Sequence, residues 1–406
     1  MNNRLTEQLP PLYSANELGS VMTNIPVLPT NLSTEAERLL ALNKLYDFFI
    51  PNQFIQELYQ KMYLGIFRSL SVKDTRVSTL QRNENYRKIL QTNARGIIGG
   101  SDSLLITGVA GIGKSTAVAE TMKLTTNNTI IEQAEPFALV IPALLVQTPF
   151  DCSIKALLLQ ILRKVDELLH TNYYPRTIPT ADVLLATTCQ VCLNHIGTLI
   201  IDEIQNVISH KAGNLLIQCL TELINSSAIS IIMVGTTECE QFFESNQFLA
   251  RRAIELKYNT MAYNDFFKLF CKLLWEYQPL LHPSEIHEAD FEWMYEHTAG
   301  ITSNIISLIH DAQELAIITK EESLNRKLLN QVYVNRMNNL HKFIAPQLYV
   351  PSKTSHIPKI ITPPKQIDVS TTQHLISDTI KMAKNNNIDY VDCLKSIISV
   401  TEVLIK

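Results

Sequence analysis

The chain has 406 residues, 46% of them hydrophobic and 18% charged, enough apolar material for a sizeable core and too much for wholesale disorder. Its 35 basic and 39 acidic residues leave a net charge of −4, which excludes a polycation that coats nucleic acid over its whole surface and leaves room only for local basic patches. No apolar run reaches the ~18–20 residues of a membrane span, the N-terminus lacks a secretory layout, and seven scattered cysteines read as free thiols of a cytoplasmic protein.

Residues 1–34 are polar and dotted with Pro10, Pro11, Pro26 and Pro29, and read as an extended arm. A small helical module is predicted over 35–95. Helical periodicity runs from Thr34 to about Phe49, Pro51 restarts a helix at its first turn, and Phe54, Leu58, Met62 and Ile66 make one apolar stripe. From 70 to 95 the chain is polar and rich in cations, which reads as a solvated helix face or a basic surface for an acidic partner.

Strands and helices alternate over 96–260. Short, doubly apolar strands are predicted at Ser103–Thr107, Phe137–Ile141, Thr198–Ile201, Ala228–Val234 and Ala253–Lys257. That pattern suits an α/β domain with a five-stranded parallel sheet between helices. Cys189 and Cys192 form a C-x-x-C, but they fall in an apolar helical stretch with no second pair at zinc spacing, so buried thiols are expected. Residues 261–340 read as a helical lid, with helices at 264–277, 286–298, 303–319 and 323–339. Five of the 17 prolines crowd into 346–364, marking 341–370 as a linker. Residues 371–406 regain helical spacing (Leu375, Ile380; Val391, Leu394, Ile398) and are expected to dock a partner.

Glycine is scarce: 12 in all, and six of those lie between Gly96 and Gly113. That segment needs backbone that side chains would obstruct. It contains Gly108-Val109-Ala110-Gly111-Ile112-Gly113-Lys114-Ser115-Thr116, a full G-x-x-x-x-G-K-[ST] after a strand and at the start of a helix. Inward-turned N–H groups and the positive end of the helix would hold phosphates. Lys114 would reach the β- and γ-phosphates of ATP, and Ser115 would ligate Mg²⁺. Asp202-Glu203 end the apolar strand Leu199-Ile200-Ile201. Asp202 is the expected Mg²⁺ holder and Glu203 the expected general base. Past Gly235, Thr236 is the expected γ-phosphate sensor, with Thr237 second. Arg251-Arg252 precede the fifth strand, where an arginine of a ring-forming ATPase reaches the neighbouring subunit's site.

Together these residues resemble the AAA+ class, and more closely the TnsC/TniB family of transposition regulators, which includes the ATPases of CRISPR-associated transposons. The resemblance is carried by Asn24-Ile-Pro-Val-Leu-Pro-Thr, Tyr46-Asp-Phe-Phe-Ile-Pro, Leu105 to Thr116, Val146-Gln-Thr-Pro-Phe-Asp-Cys-Ser-Ile-Lys155, Leu199 to Gln205, Met233-Val-Gly-Thr236 and Leu249-Ala-Arg-Arg252. It implies a bacterial ATPase that assembles with its own copies as a ring or filament around double-stranded DNA. Such an assembly bridges a target-selection protein of TniQ/TnsD type to the transposase, and hydrolysis takes it apart. Lys155, with Gln147, Ser153 and Lys123, would then face DNA phosphates. The alternatives are a helicase loader or DNA-remodelling motor, and a STAND-like signalling NTPase that does not act on DNA. The lid departs from the wider AAA+ pattern: Gly300-Ile-Thr-Ser-Asn304 offers no arginine where many relatives carry Gly-x-x-Arg.

Overall fold

A computed structural model describes residues 4–337, except 74, 100–102, 134–137, 150–152, 178, 209–212 and 245–252. The linker and tail expected over 341–406 lie outside the described residues, as do Arg251 and Arg252.

The strands are β1 (Ser103–Gly108), β2 (Ile131–Gln133), β3 (Ala138–Gln147), β4 (Ile196–Asp202), β5 (Ser230–Gly235) and β6 (Ala253–Tyr258). They lie in the order β2-β3-β4-β5-β1-β6. The five expected parallel strands are present, and β2 adds an antiparallel edge that the sequence reading did not contain. β3 also runs past its expected end, straight through Pro142. A proline is tolerated there because β2 reaches only as far as Val140; Ile141 and Ala143 pair with β4 on either side of it, so its missing N–H breaks no antiparallel rung.

Both faces of the sheet are covered, and side-chain alternation sorts its residues between them. Leu199 and Ile201 of β4 and Ile231 and Met233 of β5 join one core with helices α6 (Ile154–Leu169), α7 (Ala181–His195) and α9 (Gly213–Ser227). Their neighbours Ile200, Ile232 and Val234 point the other way, into a core with α3 (Gln53–Lys73) and α5 (Lys114–Thr126). Burying each such side chain is worth about 1.5–3 kcal/mol, so a strand apolar on both faces is held from both sides.

The segment expected to be a separate N-terminal module packs in two places. α3, capped by Asn52 Oδ1 accepting from the Ile55 N–H at 3.0 Å, lays Leu58, Tyr59, Met62 and Ile66 on the sheet. α2 (Glu35–Leu42), started by a Thr34/Glu37 capping box, belongs with the lid instead: Leu42, Leu45 and Phe48 share a core with α11 (Asp265–Glu276), α12 (Glu288–Thr298), α13 (Thr302–Ile318) and α14 (Arg326–Val332). A buried Arg38–Glu322 ion pair at 2.7 Å closes that junction.

α4 (Arg76–Ile89) fits the expectation of a solvated polar face only in part: Arg76 and Arg87 are exposed, but another polar face is buried. Its buried residues are Ser78, Gln81 and Asn85, while Leu80, Tyr86 and Leu90 at its C-terminal end are exposed. The polar face is consumed by neighbouring backbone. Asn85 Nδ2 donates to Ser226 O at 2.8 Å, and the preceding Lys73 donates to the carbonyls of Cys192, Leu193 and Ser227 at 2.9, 2.9 and 3.2 Å. These carbonyls end α7 and α9, the negative poles of two helices. Cys189 and Cys192 are buried free thiols; burial pushes Cys192 up to about 12, and no metal-holding cluster occurs among the described residues.

Candidate nucleotide site

β1 ends beside β5, and β4 lies on the far side of β5. The loops leaving these three parallel strands therefore meet at one edge of the sheet, where ligands of open α/β folds bind. Gly111 and Gly113 have φ of +80° and +97°, a region closed to most side chains, and this turns the loop into the start of α5. Lys114 Nζ donates to Gly108 O and Val109 O, both at 2.9 Å. Burial lowers the Lys114 pKa, and the charges of Glu203 and Asp202 oppose that shift.

Ser115 Oγ donates to Asp202 Oδ2 at 2.7 Å. The other Asp202 oxygen accepts the Glu203 N–H at 2.8 Å, and the Asp202 carbonyl accepts from Thr148 N and Oγ1 at 2.9 and 2.8 Å. A hydroxyl and a carboxylate side by side are hard oxygen donors, the set that suits a cation kept partly hydrated and shared with phosphates. Glu203 has φ +58°, unusual for a non-glycine residue. Its carboxylate accepts a hydrogen bond from Gln205 Nε2.

These groups line one cavity of about 460 Å³. Of the residues singled out in the sequence, Ala110, Gly111, Gly113, Lys114, Ser115, Thr116, Asp202, Glu203 and Thr236 line it. Gly108 and Val109 serve it through the carbonyls that hold Lys114, and Ile112 is buried beneath it. Thr236 takes the expected place, with its N–H on Gln205 Oε1 at 3.3 Å, while Thr237 is exposed and off the cavity.

Sequence reasoning missed the other walls. Tyr46 comes from the turn after α2, and Thr302, Ser303 and Ile306 from the lid. The Ser303 N–H donates to Gly111 O at 3.0 Å and Thr302 Oγ1 to Ile112 O at 3.1 Å, so the segment that lacks an arginine seats the lid directly on the glycine loop. The signal was present only as the anomaly at Gly300–Asn304. A second cavity of about 620 Å³ shares Tyr46 and Thr116 with the first and includes Asn24, Phe49 and Lys123.

The residues expected to face DNA lie on three elements. Gln147 ends β3 opposite Asp202, Ser153 caps α6 by accepting from Ala156 N at 3.1 Å, and Lys155 is exposed on that helix's first turn. Lys123 sits nine residues into α5 from Lys114, about 14 Å down the axis, against the second cavity.

Residues 77–260 match the model of a family described as Bacterial TniB protein. That match bears out the resemblance carried by the phosphate loop, the Leu199–Gln205 strand and the Val146–Lys155 stretch. Over that segment the chain is similar to the TniB family, and the phosphate loop and the Asp202–Glu203 strand end both lie inside it. Among curated proteins none matches it. Similar solved structures include the Aeropyrum pernix ORC1 protein in complex with DNA (14% identity, 67% of this chain and 68% of that one, TM-score 0.44). Drosophila ORC bound to DNA (12% identity, 98% and 86%, 0.44) and the Thermotoga maritima RuvB Holliday junction branch migration motor (16%, 63% and 66%, 0.35) are others. Likenesses this distant bear on neither ligand nor partner. No helix among the described residues is long and apolar enough to cross a membrane.

Proposed function

We propose that this ATPase binds ATP with Mg²⁺ at the cavity, assembles in that state on double-stranded DNA, and links a target-selection protein to a transposase until hydrolysis releases it. The observation that carries the reading is the convergence of Lys114, the Ser115–Asp202 pair, Glu203 and Thr236 on one cavity roofed by the lid. The loop amides and Lys114 take the β- and γ-phosphates. Bound there, Mg²⁺ would neutralise charge on the transferring phosphoryl group, with Ser115 and Asp202 as its protein-side holders. Glu203 polarises the attacking water. Thr236 offers its hydroxyl toward the γ-phosphate. The second cavity, which shares Tyr46 and Thr116 with the first, is the proposed room for the base and ribose.

Assembly is the part of the reading in which a second copy completes the site. A neighbouring copy's Arg251 or Arg252 would complete the charge stabilisation, so nucleotide would favour the contact between copies. Lys155, flanked in the chain by Ser153 and Gln147, is the proposed phosphate contact on DNA; Lys123 is left out because it lines the other cavity. One lysine per protomer is weak, and a ring or filament multiplies it along the duplex. This fits a net charge of −4 better than a monomeric DNA binder does.

Electron microscopy with a nonhydrolysable ATP analogue, with and without duplex DNA, tests the reading. Nucleotide-dependent decoration of the duplex supports it. Isolated hexamers on single strands would favour a loader or motor, and no association with DNA would favour a signalling NTPase.

A further inference from the structure

The base assigned above stands on a strained backbone. Glu203 is left-handed at φ +58°, a conformation that costs a non-glycine residue on the order of 1 kcal/mol. Such a residue is easily lost from its aim unless its neighbours hold it. Its own N–H is tied to Asp202 Oδ1. Among the described residues, the hydrogen bond to its carboxylate comes from Gln205.

Gln205 is well placed for that work. The residue before it, Ile204, is fully buried, and its N–H donates to Val234 O of β5 at 3.0 Å, pinning the turn across two strand ends. From this anchor the Gln205 amide spans the gap. Nε2 donates to Glu203, and Oε1 accepts the Thr236 N–H. The partners fix which end is which: a carboxylate can only accept and a backbone N–H can only donate. A side chain on Gly235 would meet Cys239 Sγ first, at 2.5 Å, and then Ile204 and that same Oε1 at 3.0 and 3.2 Å, so the glycine lets this whole turn close. Gln205 also lines the cavity itself.

We propose that Gln205 is a positioning residue, which aims the Glu203 carboxylate into the cavity and couples it to the sensor segment at the end of β5. The proposal rests on Glu203 being the base. Through one amide, the Glu203 carboxylate and the Thr236 backbone are held as a unit.

Two substitutions separate the two ends of the bridge. Gln205→Ala removes both hydrogen bonds. Gln205→Glu keeps an acceptor for Thr236, loses the donor to Glu203, and sets a second carboxylate against it. Two adjacent carboxylates retain a shared proton to higher pH. The experiment measures kcat, KM and affinity for an ATP analogue in the full chain from pH 5.5 to 9, with Glu203→Gln alongside. For Gln205→Ala, kcat falls tenfold or more while KM and analogue affinity stay within about twofold of wild type. For Gln205→Glu, the acidic limb of the kcat profile moves up by about one pH unit. Retained analogue affinity reports a folded site in each variant. If Glu203→Gln is inactive but both Gln205 variants keep the wild-type kcat and the wild-type acidic limb, the proposal is overturned. If Glu203→Gln hydrolyses ATP like wild type, the base assignment itself falls.

Discussion

Two lysines at opposite edges of the sheet show what separates a structural cation from a functional one. Lys73 is 3% exposed and spends all three of its N–H donors on carbonyls that end α7 and α9. Lys114 is half-buried, spends two donors on loop carbonyls, and faces a cavity of about 460 Å³. Both sit among backbone oxygens, and both have their pKa drawn down by burial. The difference is unspent bonding capacity beside empty space. Where every donor is satisfied and no room remains, a charge holds the fold; where a donor and a volume remain, it can take a ligand.

The comparison can be broken by exchanging the consequences. Lys73→Met should lower stability by about 2 kcal/mol or more, since it takes a donor from three buried carbonyls, of which Cys192 O keeps the Ile196 N–H, at about 1–3 kcal/mol for each left unpaired, partly offset by removal of a buried charge. Urea unfolding measures this, and the folded fraction should bind an ATP analogue with wild-type affinity. An unchanged midpoint would show that the three carbonyls do not need Lys73.

Gly111→Ala should cost less and act on the other edge. The left-handed φ of +80° penalises any side chain by about 1–2 kcal/mol, and its new Cβ presses on the Ser303 side chain of the lid. The expected result is an analogue affinity about tenfold weaker with a small change in unfolding midpoint. Equal affinity would mean that the lid does not seat on the loop.

The pH dependence of stability reports on Lys73 as well, as a slope. An unfolded lysine keeps its proton to about pH 10.4, whereas burial brings Lys73 to about 7. Between those limits the unfolded chain binds more protons, so this group makes stability rise with pH, by at most about 1.4 kcal/mol per unit. Wild type should show that rise between pH 7 and 9 relative to Lys73→Met; parallel profiles would deny it. Smallest of all, Lys155→Ala should reduce the salt slope of DNA binding by about one, and an identical salt titration would remove Lys155 from the interface.

The sequence disclosed most of what has a local signature. Gly108 to Thr116, Asp202 and Glu203 stand where their motifs put them, and the five parallel strands could be read because each is apolar on both faces. β2 could not be read, since three residues carry no period. The second strand was expected to end at Ile141 and runs on through Pro142, because whether a proline breaks a strand depends on how far the neighbouring strand extends. α4 misled for a related reason: its polar face answers helix ends more than a hundred residues away. Thr302 and Ser303 meet the glycine loop across 190 residues of sequence, and hydroxyls at a helix start look the same whether they roof a cavity or face water. Gln205 was legible as part of a strand-end motif, while its bridge between Glu203 and Thr236 exists only once β4 and β5 are side by side.

The central claim is that a triphosphate sits between the glycine loop and the lid, held by Lys114. The most direct measurement is an equilibrium titration of a fluorescent ATP analogue, with magnesium, into wild type and Lys114→Ala. An affinity loss of about 100-fold, roughly 2.7 kcal/mol, with an unchanged unfolding midpoint is the expected result. Equal affinities would contradict the claim.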